Sequence, residues 1–205
     1  MINSKPRNQI LNGRFAFFQE FLKHPLQIGS IIPSSRFLEQ RVLKAADVTT
    51  ASTIIELGPG TGGTTRAILR EMPQHARLLS IEINPHFYSM LSNISDDRFI
   101  AHLGSASELL DIMHMYDLNS PDAVISGIPF STINRDTGSR ILSAIESVLG
   151  PHGRFVAYQV SDRVAQLCQP YFGKEQMSME LLNIPPMRIY QWEKREYGQD
   201  NLHPG

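Results

Sequence analysis

The block Ile54-Ile55-Glu56-Leu57-Gly58-Pro59-Gly60-Thr61-Gly62-Gly63 constrains this chain more than any other stretch. The apolar run Thr53–Leu57 predicts a strand, and the run from about Gly62 to Met72 predicts a helix. Glycines between them let the backbone turn tightly and approach a ligand with no Cβ in the way. The free N–H groups of the helix start can meet an anionic or polar group. Glu82 lies 20 residues past Gly62 (82 − 62), at the end of a second apolar run, Leu78–Glu82. An acid in that place can accept hydrogen bonds from the two hydroxyls of a ribose. Gly58, Gly60 and Gly63 also satisfy Gly-x-Gly-x-x-Gly, so the pattern alone admits NAD as the ligand.

The rest of the chain continues the alternation. Asn84 is placed to cap a helix with Pro85 in its first turn. Phe99–Leu103 predicts a third strand, and Ser105 opens a helix to about Tyr116. Ala123–Ser126 predicts a fourth strand, Asp136–Leu149 a helix, and Gly150-Pro151-His152-Gly153 a turn. Arg154–Val160 predicts a fifth strand, followed by a short helix over about Asp162–Tyr171. Such alternation specifies an α/β fold, a mostly parallel sheet with helices on both faces. Two late strands, about Met177–Leu182 and Met187–Lys194, have no helix between them and predict an antiparallel hairpin at the sheet edge. Residues after about Lys194 are polar and read as a loose tail.

Charge is uneven along the chain. Residues 1–44 carry seven Lys or Arg and two Glu, about +5, against a formal net charge of -1 for all 205 residues. Leu11, Phe15, Phe18 and Leu22 follow helical spacing, and Phe17 and Phe21 widen that apolar face. A basic, Phe-rich amphipathic helix of this kind suits an anionic membrane surface; docking on its own domain is the plainer alternative. The helix should end near His24-Pro25. Ser34 or Ser35 can cap a second helix running to about Ala46. No apolar run approaches the roughly 18 residues of a spanning helix, and the first residues lack a signal-peptide core. The single Cys168 excludes an internal disulfide, and no metal site is expected from the scattered histidines. The expected location is cytoplasmic, peripheral on the inner face of the membrane.

Glu56-Leu57-Gly58-Pro59-Gly60-Thr61-Gly62 resembles the first motif of class I S-adenosylmethionine-dependent methyltransferases. The resemblance spans about residues 53–194 and implies a Rossmann-like seven-stranded sheet with its last two strands reversed at one edge. It also implies S-adenosylmethionine as the cofactor. Gly58, Pro59, Gly60, Thr61 and Gly62 would border its methionine part, and Glu56 would support that loop. Glu82 would hold the ribose hydroxyls and Ile83 would pack on the adenine. Ser105 and Ala106 would meet the adenine edge, although many family members have Asp where Ser105 stands. Ser126-Gly127-Ile128-Pro129 matches the motif beside the transferable methyl.

The flanks narrow the resemblance. Pro25 to Leu38, Asn183-Ile184-Pro185-Pro186-Met187-Arg188-Ile189-Tyr190 and the Ser-Gly-Ile-Pro stretch look like bacterial phospholipid N-methyltransferases. The activity implied is methylation of phosphatidylethanolamine to its N-methylated forms and phosphatidylcholine, with ornithine lipids as the alternative substrate. Residues 1–46 would form an N-terminal helical cap with the membrane-binding segment, and residues 47–205 the cofactor-binding domain of one compact unit. An RNA adenine N6-methyltransferase is the runner-up. Gly127-Ile128-Pro129-Phe130 lacks that family's Asn, so nucleic acid is not the expected partner. A cofactor-binding module assisting a partner is the non-enzymatic alternative, and the oligomeric state is open.

An ethanolamine headgroup is an ammonium at neutral pH, so the site must lower its pKa and remove its proton. Tyr158, near the end of the fifth strand, is the candidate catalytic residue, either orienting the amine or holding a methylated ammonium against its ring. Packing against a helix is its alternative role. Ser30, Ser34, Ser35 and Pro129 are candidates for the methionine end or the headgroup pocket. Arg188 is a candidate for the lipid phosphate, which a guanidinium can clamp; a solvated strand residue is the plainer reading.

Overall fold

The computed structural model describes residues 32–181 and 186–194. The order is α1 (Ile32–Ala46), β1 (Thr53–Leu57), α2 (Gly63–Glu71), β2 (Arg77–Glu82), α3 (Pro85–Leu91), β3 (Phe99–Leu103) and, after a 3-10 turn (Ala106–Glu108), α4 (Leu109–Met115). Then follow β4 (Ala123–Ser126), α5 (Arg135–Val148), β5 (Arg154–Gln159), α6 (Arg163–Phe172), β6 (Gln176–Glu180) and β7 (Met187–Glu193). One seven-stranded sheet runs β3-β2-β1-β4-β5-β7-β6. The first five strands are mutually parallel, and β7 is antiparallel to both β5 and β6. The strand order reverses between β1 and β4, where sheets of this kind bind ligands at their carboxyl ends.

Two apolar layers sandwich the sheet. On one face Val42, Leu43 and Ala46 of α1 and Ala67 and Ile68 of α2 cover Ile54, Leu78 and Val156. On the other, Leu142 and Ile145 of α5 and Val164 and Cys168 of α6 cover Ile55, Val124 and Phe155. Trp192 stacks on Phe155 at 5.1 Å between ring centres and on Tyr190 at 6.0 Å, which ties the reversed strand β7 into the second layer. Helix α1 therefore shares its core with the domain that follows it.

Several local expectations are corrected. Helix α1 begins at Ile32, so Ser34 and Ser35 lie inside it and neither caps it. Pro33 explains the earlier start, since its fixed φ suits a first helical turn. Ser105 opens a 3-10 turn rather than the α-helix, which starts only at Leu109. Strand β6 stops at Glu180, short of Leu182. The amphipathic segment over residues 11–22, Ser30 and the Asn183–Pro185 stretch lie outside the described residues, as does everything after Lys194. Among the described residues no helix is long and apolar enough to cross a membrane, and no group of three His, Cys, Asp or Glu side chains could hold a metal ion.

Candidate active site

Strand β1 is buried along its whole length, yet carries Glu56 one residue before its end. Its register partner on β2 is Ser80, the one polar residue in the middle of an otherwise apolar run. The pairing has a purpose: Ser80 Oγ donates to Glu56 Oε2 at 2.6 Å, and Thr65 Oγ1 of α2 donates to the same oxygen at 2.7 Å. The other oxygen, Oε1, is buried with no hydrogen-bond partner among the described residues. Burial raises the Glu56 pKa to about 7, and the nearby Glu82 carboxylate adds to the rise against the two hydroxyl bonds.

The loop after β1 turns through the left-handed region at Gly58, Gly60 and Gly62, with φ of 68°, 58° and 82°. Gly62 is also the N-cap of α2, and a Cβ there would stand 2.9 Å from Leu91 Cδ2. Gly58 N–H donates to the Ile81 carbonyl at 2.9 Å. Gly60 N–H donates to Glu82 Oε2 at 3.0 Å, and Asn84 N–H donates to Glu82 Oε1 at 2.8 Å. Each carboxylate oxygen thus keeps one further lone pair. Arg66 pins the loop from the far side, its guanidinium donating to the Thr61 and Gly62 carbonyls at 3.0 and 2.9 Å. Pro59 is buried within the turn.

Just past Glu82 an apolar side chain stands at the surface. Ile83 is 74% exposed, an aliphatic side chain free to cover a flat ring. Ser105 sits at the adjacent strand end, but its hydroxyl is engaged with Ser107, accepting from the backbone N–H at 3.3 Å and bonding the hydroxyl at 2.8 Å. Ala106 behind it is buried.

The other side of the rim joins β4 and β5. Gly127 N–H donates to the Leu57 carbonyl at 2.9 Å. A Cβ on Gly127 would stand 2.6 Å from the Tyr158 hydroxyl and 2.8 Å from the Gly58 carbonyl, so only glycine allows these three groups to meet. Tyr158 Oη lies 3.4 Å from Thr64 Oγ1 in the first turn of α2. Burial, then the carboxylates of Glu56, Glu39 and Glu82, push the Tyr158 pKa well above its ordinary value. The phenol therefore stays protonated: it can orient a group through its hydroxyl but is no proton acceptor at rest. Ser126 is buried and its Oγ accepts from Ile128 N–H at 3.3 Å. Gln159 Nε2 donates to the Ile128 carbonyl. Pro129 is half-buried, its carbonyl accepting from Thr132. Arg188 reaches the same rim, but its guanidinium donates to the Val160 carbonyl.

The structure therefore gathers Glu56, the Gly58–Gly62 loop, Glu82, Ser126, Gly127 and Tyr158 along the carboxyl ends of β1, β2, β4 and β5. The residues that sequence reasoning missed are Thr64, Thr65, Arg66, Ser80 and Gln159. A signal existed for Ser80, because a lone polar residue in each of two neighbouring apolar strands asks for a partner. None existed for Gln159 or Thr64, whose partners are distant in sequence.

Strand order and loop together define the class I S-adenosylmethionine-dependent methyltransferase fold. The site fits that cofactor on its own terms: a glycine cradle, a carboxylate with spare lone pairs, an exposed aliphatic platform and a carboxyl oxygen left unpaired. No family model matches the chain. It is 27% identical over 179 residues to the ornithine lipid N-methyltransferase of Singulisphaera acidiphila, covering 86% of this chain and 93% of that protein. It is 28% identical over 169 residues to the ribosomal RNA small subunit methyltransferase A of Syntrophotalea carbinolica, covering 75% of this chain and 61% of that protein. The N-methyltransferase NodS of Bradyrhizobium japonicum WM9, solved with S-adenosyl-L-homocysteine, superposes with a TM-score of 0.66 at 11% identity, over 87% of this chain and 96% of that one.

Proposed function

We propose that this chain transfers methyl groups from S-adenosylmethionine to the free amine of a membrane-lipid headgroup. The observation that carries the reading is the likeness to an ornithine lipid N-methyltransferase over nearly the full length of both proteins. Ornithine lipids and phosphatidylethanolamine share the required chemistry, a primary amine on a chain that also bears an anionic group. The basic, Phe-rich segment before Pro25 supports the reading, because an enzyme acting on lipid must reach an anionic surface. It is the part of the chain we assign to membrane contact, which makes the protein peripheral.

When bound, the cofactor supplies a methyl group made electrophilic by a sulfonium. The chain's own work is then positioning and charge. The Gly58–Gly62 loop and Glu82 hold the cofactor, and Gly127 and Tyr158 face the acceptor. Holding nucleophile and methyl in line supplies most of the rate. Glu82, with Glu39 farther off, lends the rim around Tyr158 negative charge, which suits a cationic cofactor. Within this rim an ammonium must still lose its proton before attack. The Tyr158 hydroxyl serves to orient the amine.

The test is to incubate the purified protein and S-adenosylmethionine with liposomes containing both phosphatidylethanolamine and ornithine lipid, then read the lipids by mass spectrometry. One to three added methyl groups on either headgroup support the reading and name the substrate. Absence of methylated lipid, with cofactor binding intact, overturns it. RNA then becomes the acceptor to examine, since a ribosomal RNA methyltransferase is also among the relatives.

A further inference from the structure

The loop after β4 carries three successive backbone carbonyls, and the structure closes two of them. The Ile128 carbonyl accepts from Phe130 N–H at 2.9 Å and from Gln159 Nε2. The Pro129 carbonyl accepts from Thr132 N–H at 3.0 Å and Thr132 Oγ1 at 2.9 Å. A carbonyl oxygen has two lone pairs, so both are saturated. The Gly127 carbonyl has no partner among the described residues. Gly127 is also the residue against which the Tyr158 hydroxyl rests.

Gln159 decides this arrangement. It is 5% exposed, on the last position of β5, and it ties the loop to its neighbouring strand. The Ile128 N–H is held as well, by Ser126 Oγ, so Ile128 is locked at both ends. We propose that Gln159 is a positioning residue: by occupying the Ile128 carbonyl and fixing the loop, it leaves the carbonyl of Gly127, the residue whose Cα faces the Tyr158 hydroxyl, to receive the N–H groups of the acceptor amine. This rests on the reading of the chain as an amine methyltransferase. With its N–H groups received by two fixed oxygens, the amine's lone pair is aimed in one direction, and such alignment is where rate is gained.

Gln159→Met keeps the length of the side chain and removes the donor. The Ile128 carbonyl still accepts from Phe130, so no buried group is orphaned and the variant should fold with nearly unchanged melting temperature. Methylation of amine lipids in detergent micelles is expected to lose roughly tenfold or more in kcat, with the cofactor Kd within about twofold of wild type. A residue that merely holds the fold together would move the melting temperature and cofactor Kd together with kcat. Wild-type kcat in Gln159→Met overturns the role of Gln159 and leaves the functional reading standing. A wild-type protein that binds cofactor and methylates no amine at all overturns both.

Discussion

On the β1–β2 side of the rim, the contacts that shape the site join residues close in sequence. Thr65 and Glu56 are 9 apart, Gly60 and Glu82 are 22 apart, and Ser80 and Glu56 are 24 apart. On the β4–β5 side they reach further: 31 residues from Gln159 to Ile128 and 94 from Tyr158 to Thr64. The first side is one strand–helix–strand unit whose spacing is repeated wherever such a unit binds a nucleotide-like ligand. The second is assembled from separate units brought together by the sheet. Under the proposed function the near side is the half that holds the cofactor, and the far side is the half that meets the acceptor.

Substitutions should divide along the same line. The largest effect is expected from Gly127→Ala on the far side. A Cβ 2.8 Å from the Gly58 carbonyl forces backbone to move, and a displacement on the order of 1 Å costs about 100-fold in turnover. Steady-state kcat measures this, and a value near wild type would mean the two halves of the rim are not in contact.

Next comes Glu56 on the near side. Its folded pKa, about 7, lies above the ordinary 4.5, so the folded state binds the extra proton between those values. Stability is therefore greatest below about pH 4.5 as far as this group is concerned, falls as pH rises, and has lost the full contribution above about pH 7. A shift of this size corresponds to about 3 kcal/mol. Urea titrations from pH 5 to 8 should show that slope, and Glu56→Gln should flatten it. An unchanged slope in the variant would place the titration elsewhere.

Glu82→Ala removes the acceptor of Gly60 N–H and the carboxylate meant for the cofactor. A charged hydrogen bond is worth roughly 1.5–3 kcal/mol, so calorimetric affinity for S-adenosylmethionine should fall at least about tenfold. Unchanged affinity would put the cofactor elsewhere. Last, deleting residues 1–24 should weaken binding to anionic liposomes in a flotation assay while leaving cofactor affinity near wild type. Equal flotation of the two proteins would remove the membrane role of that segment.

The alternation of strands and helices, the reversed hairpin, the glycine loop and Glu82 were all legible in the sequence. Each is written in local periodicity, in turn residues or in a spacing internal to one unit. Ser34 and Ser35 were misread as caps, because capping preference is a local bias that Pro33 displaced by starting the helix sooner. Tyr158 could be placed near the rim from its strand. Its partners could not, since nothing near position 158 mentions Thr64.

By itself the sequence determined the class of fold, the glycine loop and the place of the acid at the end of β2, because a turn that needs glycine and an acid at a set distance is a local requirement. Only the tertiary structure decided that Glu56 keeps one oxygen unpaired among the described residues, that burial and nearby carboxylates raise the Tyr158 pKa, and that Gln159 reaches the Ile128 carbonyl. Those properties depend on burial and on which strands become neighbours, and neither exists until the sheet has assembled.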